Sequence, residues 1–238
     1  MTDPETPGLY PDLNLAKAHA LTAATASYAN RPDPQAILRK GLVEEVAEYA
    51  WEVAQGREAD KDQIEGEIGD VLWYVSEISR FHDTPITGLE TSQSFDTFQA
   101  QIDVYNVLPI VGIDATQVNI EEQPHIALAV TALRVVDVLN PKNEDLWLPT
   151  YQRASLEKAL GDLLTTASFI ASKHSILLSD ALKHTIEKLS ERKRNPHVID
   201  EAQKNELISS MRQRLNIHPF VGRLLIKTLS AEISSEVN

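Results

Sequence analysis

Cysteine is missing from this 238-residue chain, and its absence excludes thiol nucleophiles, disulfide frameworks and cysteine-ligated zinc together. Any metal must therefore sit on oxygen or imidazole. Long apolar runs are lacking too. The most hydrophobic stretch, Ile126 to Leu139, is interrupted by Arg134 and Asp137 and is too short to cross a bilayer, so no membrane partner is expected. Positive charge is scarce: 22 Lys and Arg stand against 35 Asp and Glu, a net charge of −13. Such a balance argues against nucleic acid as a partner, because nucleic-acid binding neutralises phosphates with cations. The first residues, MTDPETPGLYPDLN, have neither the basic start nor the apolar run of a signal peptide, so the expected compartment is the cytoplasm. The length suits one or two domains and suffices to bury a core without disulfides or a structural metal.

What is present is helical periodicity. Apolar residues recur at three- and four-residue intervals, prolines fall between the periodic segments, and no segment reads convincingly as a strand. The expected fold class is all-α, a helical bundle. A first helix is expected over Leu13 to Tyr28. Asp33-Pro34 then supplies a cap and a first-turn proline for a second helix carrying Leu42, Val46 and Val53 on one face and stopping near Gly56. Asp60 with Gln63 resembles a capping box opening a third, whose buried stripe is Ile64, Ile68, Val71, Val75 and Ile78. Further helices are expected at Phe95 to Asn106, His125 to Leu139, Arg153 to Lys173 and Ser179 to Arg194, with two in the tail, one of them Phe220 to Ile233.

A faint repeat runs through this pattern. EIGDVLWYVSEIS around Asp70 aligns with KALGDLLTTASFIA around Asp162 at an offset of 92 residues, and GLVEEVAEYAWEV aligns with ALAVTALRVVDVL at a shorter one. The expected organisation is a tandem, degenerate duplication: residues 1–90, residues 91–197 and a helical tail, 198–238. In the second copy Ala159 replaces Glu67, and Thr131 and Arg134 replace Glu45 and Glu48, so that half lacks an acidic set.

The first copy carries a carboxylate constellation. Glu45 and Glu48 on the second helix, and Glu67 and Asp70 on the third, are pairs spaced three apart, so each pair shares a helix face. Alone, such pairs are ordinary solvated acids. In an antiparallel hairpin turning near Glu58, however, Glu48 faces Glu67, and Glu45 faces Asp70 about one helical turn, roughly 5 Å, away. Four negative charges beside an apolar seam repel and resist desolvation unless a cation neutralises them. All-oxygen ligation without histidine points to Mg²⁺ or Mn²⁺.

GLVEEVAEYAWE followed by EIGDVLWYV, with 18 residues between Glu48 and Glu67, resembles the E-E-x-x-E and E-x-x-D signature of MazG-type nucleoside triphosphate pyrophosphohydrolases. AKAHALTAATASY resembles that family's first helix and KHTIEKLSERKRNPHV its closing helix. The resemblance implies an all-α fold and Mg²⁺ held by Glu45, Glu48, Glu67 and Asp70. It further implies hydrolysis of a nucleoside triphosphate to the monophosphate and pyrophosphate, with Lys188 and Arg192 near the phosphates. Glu44, left over from the acidic set, is either the base for the attacking water or a solvated surface acid. Trp73 is either a base-stacking residue or core, and Lys40 is a weaker phosphate candidate. Where the family usually carries asparagine three residues before the lysine, this chain has Thr185.

Narrower relatives such as dUTP pyrophosphatases and phosphoribosyl-ATP pyrophosphohydrolases share the helical carboxylate scheme. A non-catalytic nucleotide- or partner-binding protein is the reading from another class. Base and sugar preference and homo-oligomerisation stay open.

Overall fold

The computed structural model describes residues 13–28, 31–54, 60–89, 93–96, 123–139 and 150–194. Among them six α-helices form, and the only sheet-type pairings are the isolated bridges Asn14–Ser94 and Ile86–Leu89. The helices begin where side chains satisfy free backbone donors. Asn14 accepts the Lys17 N–H at 3.0 Å and opens α1 (Leu15–Thr25). Asp33 accepts the Ala36 N–H at 2.8 Å before α2 (Pro34–Ala54), whose leading proline has no N–H to satisfy. Asp60 accepts the Gln63 N–H at 3.3 Å and opens α3 (Lys61–Phe81). Then come α4 (Pro124–Leu139), α5 (Thr150–Lys173) and α6 (Leu178–Arg194).

The expected boundaries agree within about one turn, with α1 shorter than expected: its chain becomes extended at Ala26, whose N–H closes the last turn on Thr22 O. Of the helix expected from Phe95 to Asn106, Phe95 and Asp96 are helical. The rest of it, Gly56, the turn near Glu58 and the tail with Phe220 to Ile233 lie outside the described residues. No helix of the described residues is long and apolar enough to cross a membrane.

Helix α3 is the centre of the packing, with α1, α2, α5 and α6 laid against it. Its stripe of Ile64, Ile68, Val71, Val75 and Ile78 is fully buried, as are Leu42 and Val46 opposite it on α2. The helices α4 and α5 pack on each other, and α2 packs on α4. Gln35 and Arg39 at the start of α2 each donate to Leu139 O at 2.9 Å, satisfying a carbonyl at the far end of α4. Lys61 at the start of α3 donates to Ser175 O just beyond α5, while Arg153 near the start of α5 binds Asp83 just beyond α3. So α2 lies antiparallel to α4, and α3 to α5.

Two details fix what surrounds the middle of α3. Gly69 makes room for α6: a Cβ there would stand 2.1 Å from Ala181 O and 2.5 Å from Thr185 Oγ1, so any larger residue forces the helices apart. Glu77, fully buried, ties α3 to α1 and its following loop. Thr22 Oγ1 donates to it at 2.6 Å, Tyr28 donates its hydroxyl, and Arg80 donates twice at 2.8 Å.

Burial alone would raise the Glu77 pKa, but the Arg80, Thr22 and Tyr28 hydrogen bonds overcome it and hold the carboxyl below its ordinary value. A depressed carboxyl lends stability above its unfolded pKa and loses it as pH falls through the folded one. Glu77→Gln turns an amide toward donors of Arg80 and Tyr28, and should cost about 3 kcal/mol in urea denaturation at neutral pH. The penalty should shrink on acidification. An unchanged denaturation midpoint would contradict this role for Glu77.

Candidate metal centre

Antiparallel pairing of α2 and α3 sets the site. A Cβ on Gly41 would fall 2.1 Å from the Tyr74 hydroxyl, so glycine at this point lets the phenol lie directly over α2. One turn further along, Glu45 meets Asp70. Glu45, Glu67 and Asp70 each present a carboxylate oxygen, and the three atoms lie within 4.8 Å of one another. Glu48 stands outside this closest trio, yet its charge bears on both Glu45 and Glu67.

The electrostatics show negative charge without enough compensation. Burial, then the neighbouring Asp70, Glu48 and Glu67 carboxylates, pushes Glu45 up to about 9. Burial, then Glu48 and Asp70, pushes Glu67 up to about 8, and burial, then Asp70, raises Glu48 as well. Glu67 Oε2 is buried with no hydrogen-bond partner. Asp70 differs from the others: Thr185 Oγ1 donates to its Oδ1 at 2.7 Å and Lys188 Nζ to its Oδ2, both from α6. An all-carboxylate donor set with a buried, orphaned oxygen fits a hard divalent cation, which prefers oxygen ligands. No other described group of metal-ligating residues converges in this way.

A cleft opens beside the acids. Glu45 and Asp70 line it together with Thr185, Lys188 and Arg192 of α6, and with Thr25, Tyr28 and Trp73. The two expected cations therefore share the cleft with the acids, Lys188 in contact with Asp70 and Arg192 exposed. Trp73 is a core residue, 6% exposed, whose Nε1 donates to Thr25 Oγ1 at 2.9 Å and whose ring meets Tyr28 and Tyr74 edge to face; its remaining surface lines the cleft. Glu44 and Lys40 are half-buried on α2 and are not among the lining residues. The charge of Glu44 contributes to raising both Glu48 and Tyr74.

Tyr28, Tyr74 and the bond from Thr185 to Asp70 were not expected from sequence. Gly41, inside an otherwise periodic helix four residues before Glu45, is the one local signal of a close approach there.

The corresponding place in α4 and α5 is closed. Asp162, aligned with Asp70, is bound by Arg134 Nη1 and by Lys158 Nζ at 3.0 Å to each carboxylate oxygen. Arg134 is the residue aligned with Glu48. Thr131, aligned with Glu45, turns its hydroxyl onto its own helix at Ala127 O and Leu128 O.

The raised carboxyls set a pH dependence. A group whose folded pKa lies above its unfolded value, here the ordinary glutamate 4.5, lends stability that is lost as pH rises through the folded pKa. In chelator, the melting temperature should therefore fall between about pH 5 and 9 and fall less in Glu45→Gln. Identical pH profiles for the two proteins would contradict the assigned environment of Glu45.

No curated protein and no solved structure matches the chain significantly. The family model of the MazG nucleotide pyrophosphohydrolase domain matches residues 34–98, the segment containing α2 and α3 with all four acids.

Proposed function

We propose that this protein hydrolyses a nucleoside or deoxynucleoside triphosphate to the monophosphate and pyrophosphate. The observation that carries the reading is the convergence of Glu45, Glu67 and Asp70 within 4.8 Å beside a cleft lined by Lys188 and Arg192. Anionic and cationic groups in one cleft suit a substrate that arrives as a metal-bound polyphosphate.

Glu45, Glu48, Glu67 and Asp70 are the proposed Mg²⁺ ligands, Mn²⁺ being the alternative occupant of the same oxygen donors. Magnesium bound there supplies positive charge to the phosphate oxygens. Arg192 presents a planar guanidinium suited to bidentate phosphate contacts, and Lys188 a point charge. Glu44, next to the ligand set and outside the closest trio, is the proposed acceptor of the water's proton. The Trp73 surface exposed to the cleft is the proposed contact for the base, and Lys40 a secondary phosphate contact. The cytoplasm, where nucleotides and Mg²⁺ are plentiful, is the compartment this reading calls for.

We further propose that residues 1–90 and 91–197 are two copies of one unit, with 198–238 as a tail, and that the chain holds one composite site. The antiparallel relations of α2 with α4 and of α3 with α5 are those of a pseudo-two-fold. Gly69 of the first copy lies against α6 of the second, and Gly161, its aligned partner, reciprocally admits Thr87, whose carbonyl would be 2.7 Å from a Cβ. The acids come from the first copy, whereas the cations Lys188 and Arg192 come from the second.

Pyrophosphate release from a panel of NTPs and dNTPs with Mg²⁺ tests the activity. Glu48→Gln or Asp70→Asn should lower it by at least about a hundredfold with the helical circular dichroism unchanged. Turnover near the wild-type rate in either variant would overturn the ligand assignment.

A further inference from the structure

Asp70 is the one acid of the set that is not short of partners. Both of its oxygens are engaged by α6, Oδ1 by Thr185 and Oδ2 by Lys188. The two contacts differ mechanically. Thr185 has a short, stiff side chain on a helix seated in the Gly69 notch, so its bond is fixed by the backbone packing. Lys188 reaches Asp70 through a flexible four-carbon stem from the same face, in a half-open position where its side chain is 29% exposed. Its ammonium also acts at a distance on Glu45, Glu48 and Glu67, offsetting their mutual repulsion. Arg192, four residues on and so on the same face of α6, lines the same cleft.

A divalent cation that takes Asp70 Oδ2 must displace this ammonium, since two cations cannot share one half-buried oxygen without repelling each other. The displaced stem can turn along the cleft toward Arg192, where the polyphosphate is expected.

We propose that Lys188 is a tethered stand-in for the metal: it occupies Asp70 while the cation is away and passes to the nucleotide phosphates when the cation binds. Lys188 thus couples the two ligands positively, because metal binding releases a phosphate-binding group and phosphate binding removes the metal's competitor. The inference rests on the metal and nucleotide reading above.

Mn²⁺ binding to the full chain, followed by electron paramagnetic resonance, tests it with and without saturating α,β-imido deoxynucleoside triphosphate, after correction for Mn²⁺ carried by free nucleotide. Lys188→Met keeps the stem and removes the charge. Without nucleotide it should bind Mn²⁺ roughly tenfold more tightly than wild type, in the range of ordinary coupling factors. With nucleotide bound the advantage should vanish, since the wild-type ammonium has by then left Asp70. Lys188→Gln should repeat the pattern, which guards against a folding defect in one variant. A tenfold gain that persists with nucleotide would mean that Lys188 merely adds positive field, and the stand-in role would be wrong. No gain at all would overturn it too. Failure of the wild type to take up Mn²⁺ would remove the metal reading and this inference together, whereas normal uptake with an unresponsive variant removes only the inference.

Discussion

Repulsion among carboxylates gathered on a partly buried seam is the constraint around which this structure is organised. Helices α2 and α3 pack through Leu42, Val46, Ile68 and Val71, and the same register that buries those side chains brings Glu45, Glu67 and Asp70 together. A chain selected for stability alone would not place them there. The raised pKa values of Glu45 and Glu67 and the orphaned Glu67 Oε2 are local costs of that arrangement. They are acceptable where a divalent cation balances them, and the surrounding structure provides only partial balance through Lys188 and, at Glu48, Arg192.

The two helical pairs illustrate two solutions to one electrostatic problem. Around Asp70 the acids are retained, and a single ammonium reaches in from α6. Around Asp162 the positions aligned with the acids hold Arg134, Thr131 and Ala159, and Arg134 with Lys158 neutralises the remaining carboxylate from within. The second arrangement is self-sufficient and leaves no unmet demand for a cation. Helix α6 is nonetheless the element that touches Asp70, so residues far along the chain supply contacts to the acids of α2 and α3. Gly69 makes that possible by letting α6 approach backbone to backbone.

Much of the α2–α3 unit was legible because its signals are local. Asp33-Pro34 and Asp60 with Gln63 mark helix starts through donors within three residues, and the three-residue spacing of the acids follows from helix geometry. The match of residues 34–98 to the MazG domain lies on this same stretch. What sequence left unread depends on contacts between distant segments. Lys188 and Asp70 are 118 residues apart, and no spacing rule predicts that they touch. Thr185 is a departure from the asparagine that the resemblance implies, and nothing in the sequence indicates that its hydroxyl holds Asp70. Trp73 reads in sequence as core or as a base-stacking residue, and its position is that of a core residue, packed by Thr25, Tyr28 and Tyr74, whose remaining surface lines the cleft. Nothing local to Gly69 signals its steric use, which is set by the approach of α6.

In the proposed function the converging acids of α2 and α3 hold a divalent cation, and the surroundings of Asp162 in α5 do not. Crystals soaked in Mn²⁺ and measured at the manganese absorption edge address this without reference to any substrate. Anomalous density is expected among the Glu45, Glu67 and Asp70 carboxylates and none at Asp162. A crystal saturated with Mn²⁺ that shows no peak among those acids, or one that shows its peak at Asp162, would rule out this metal site.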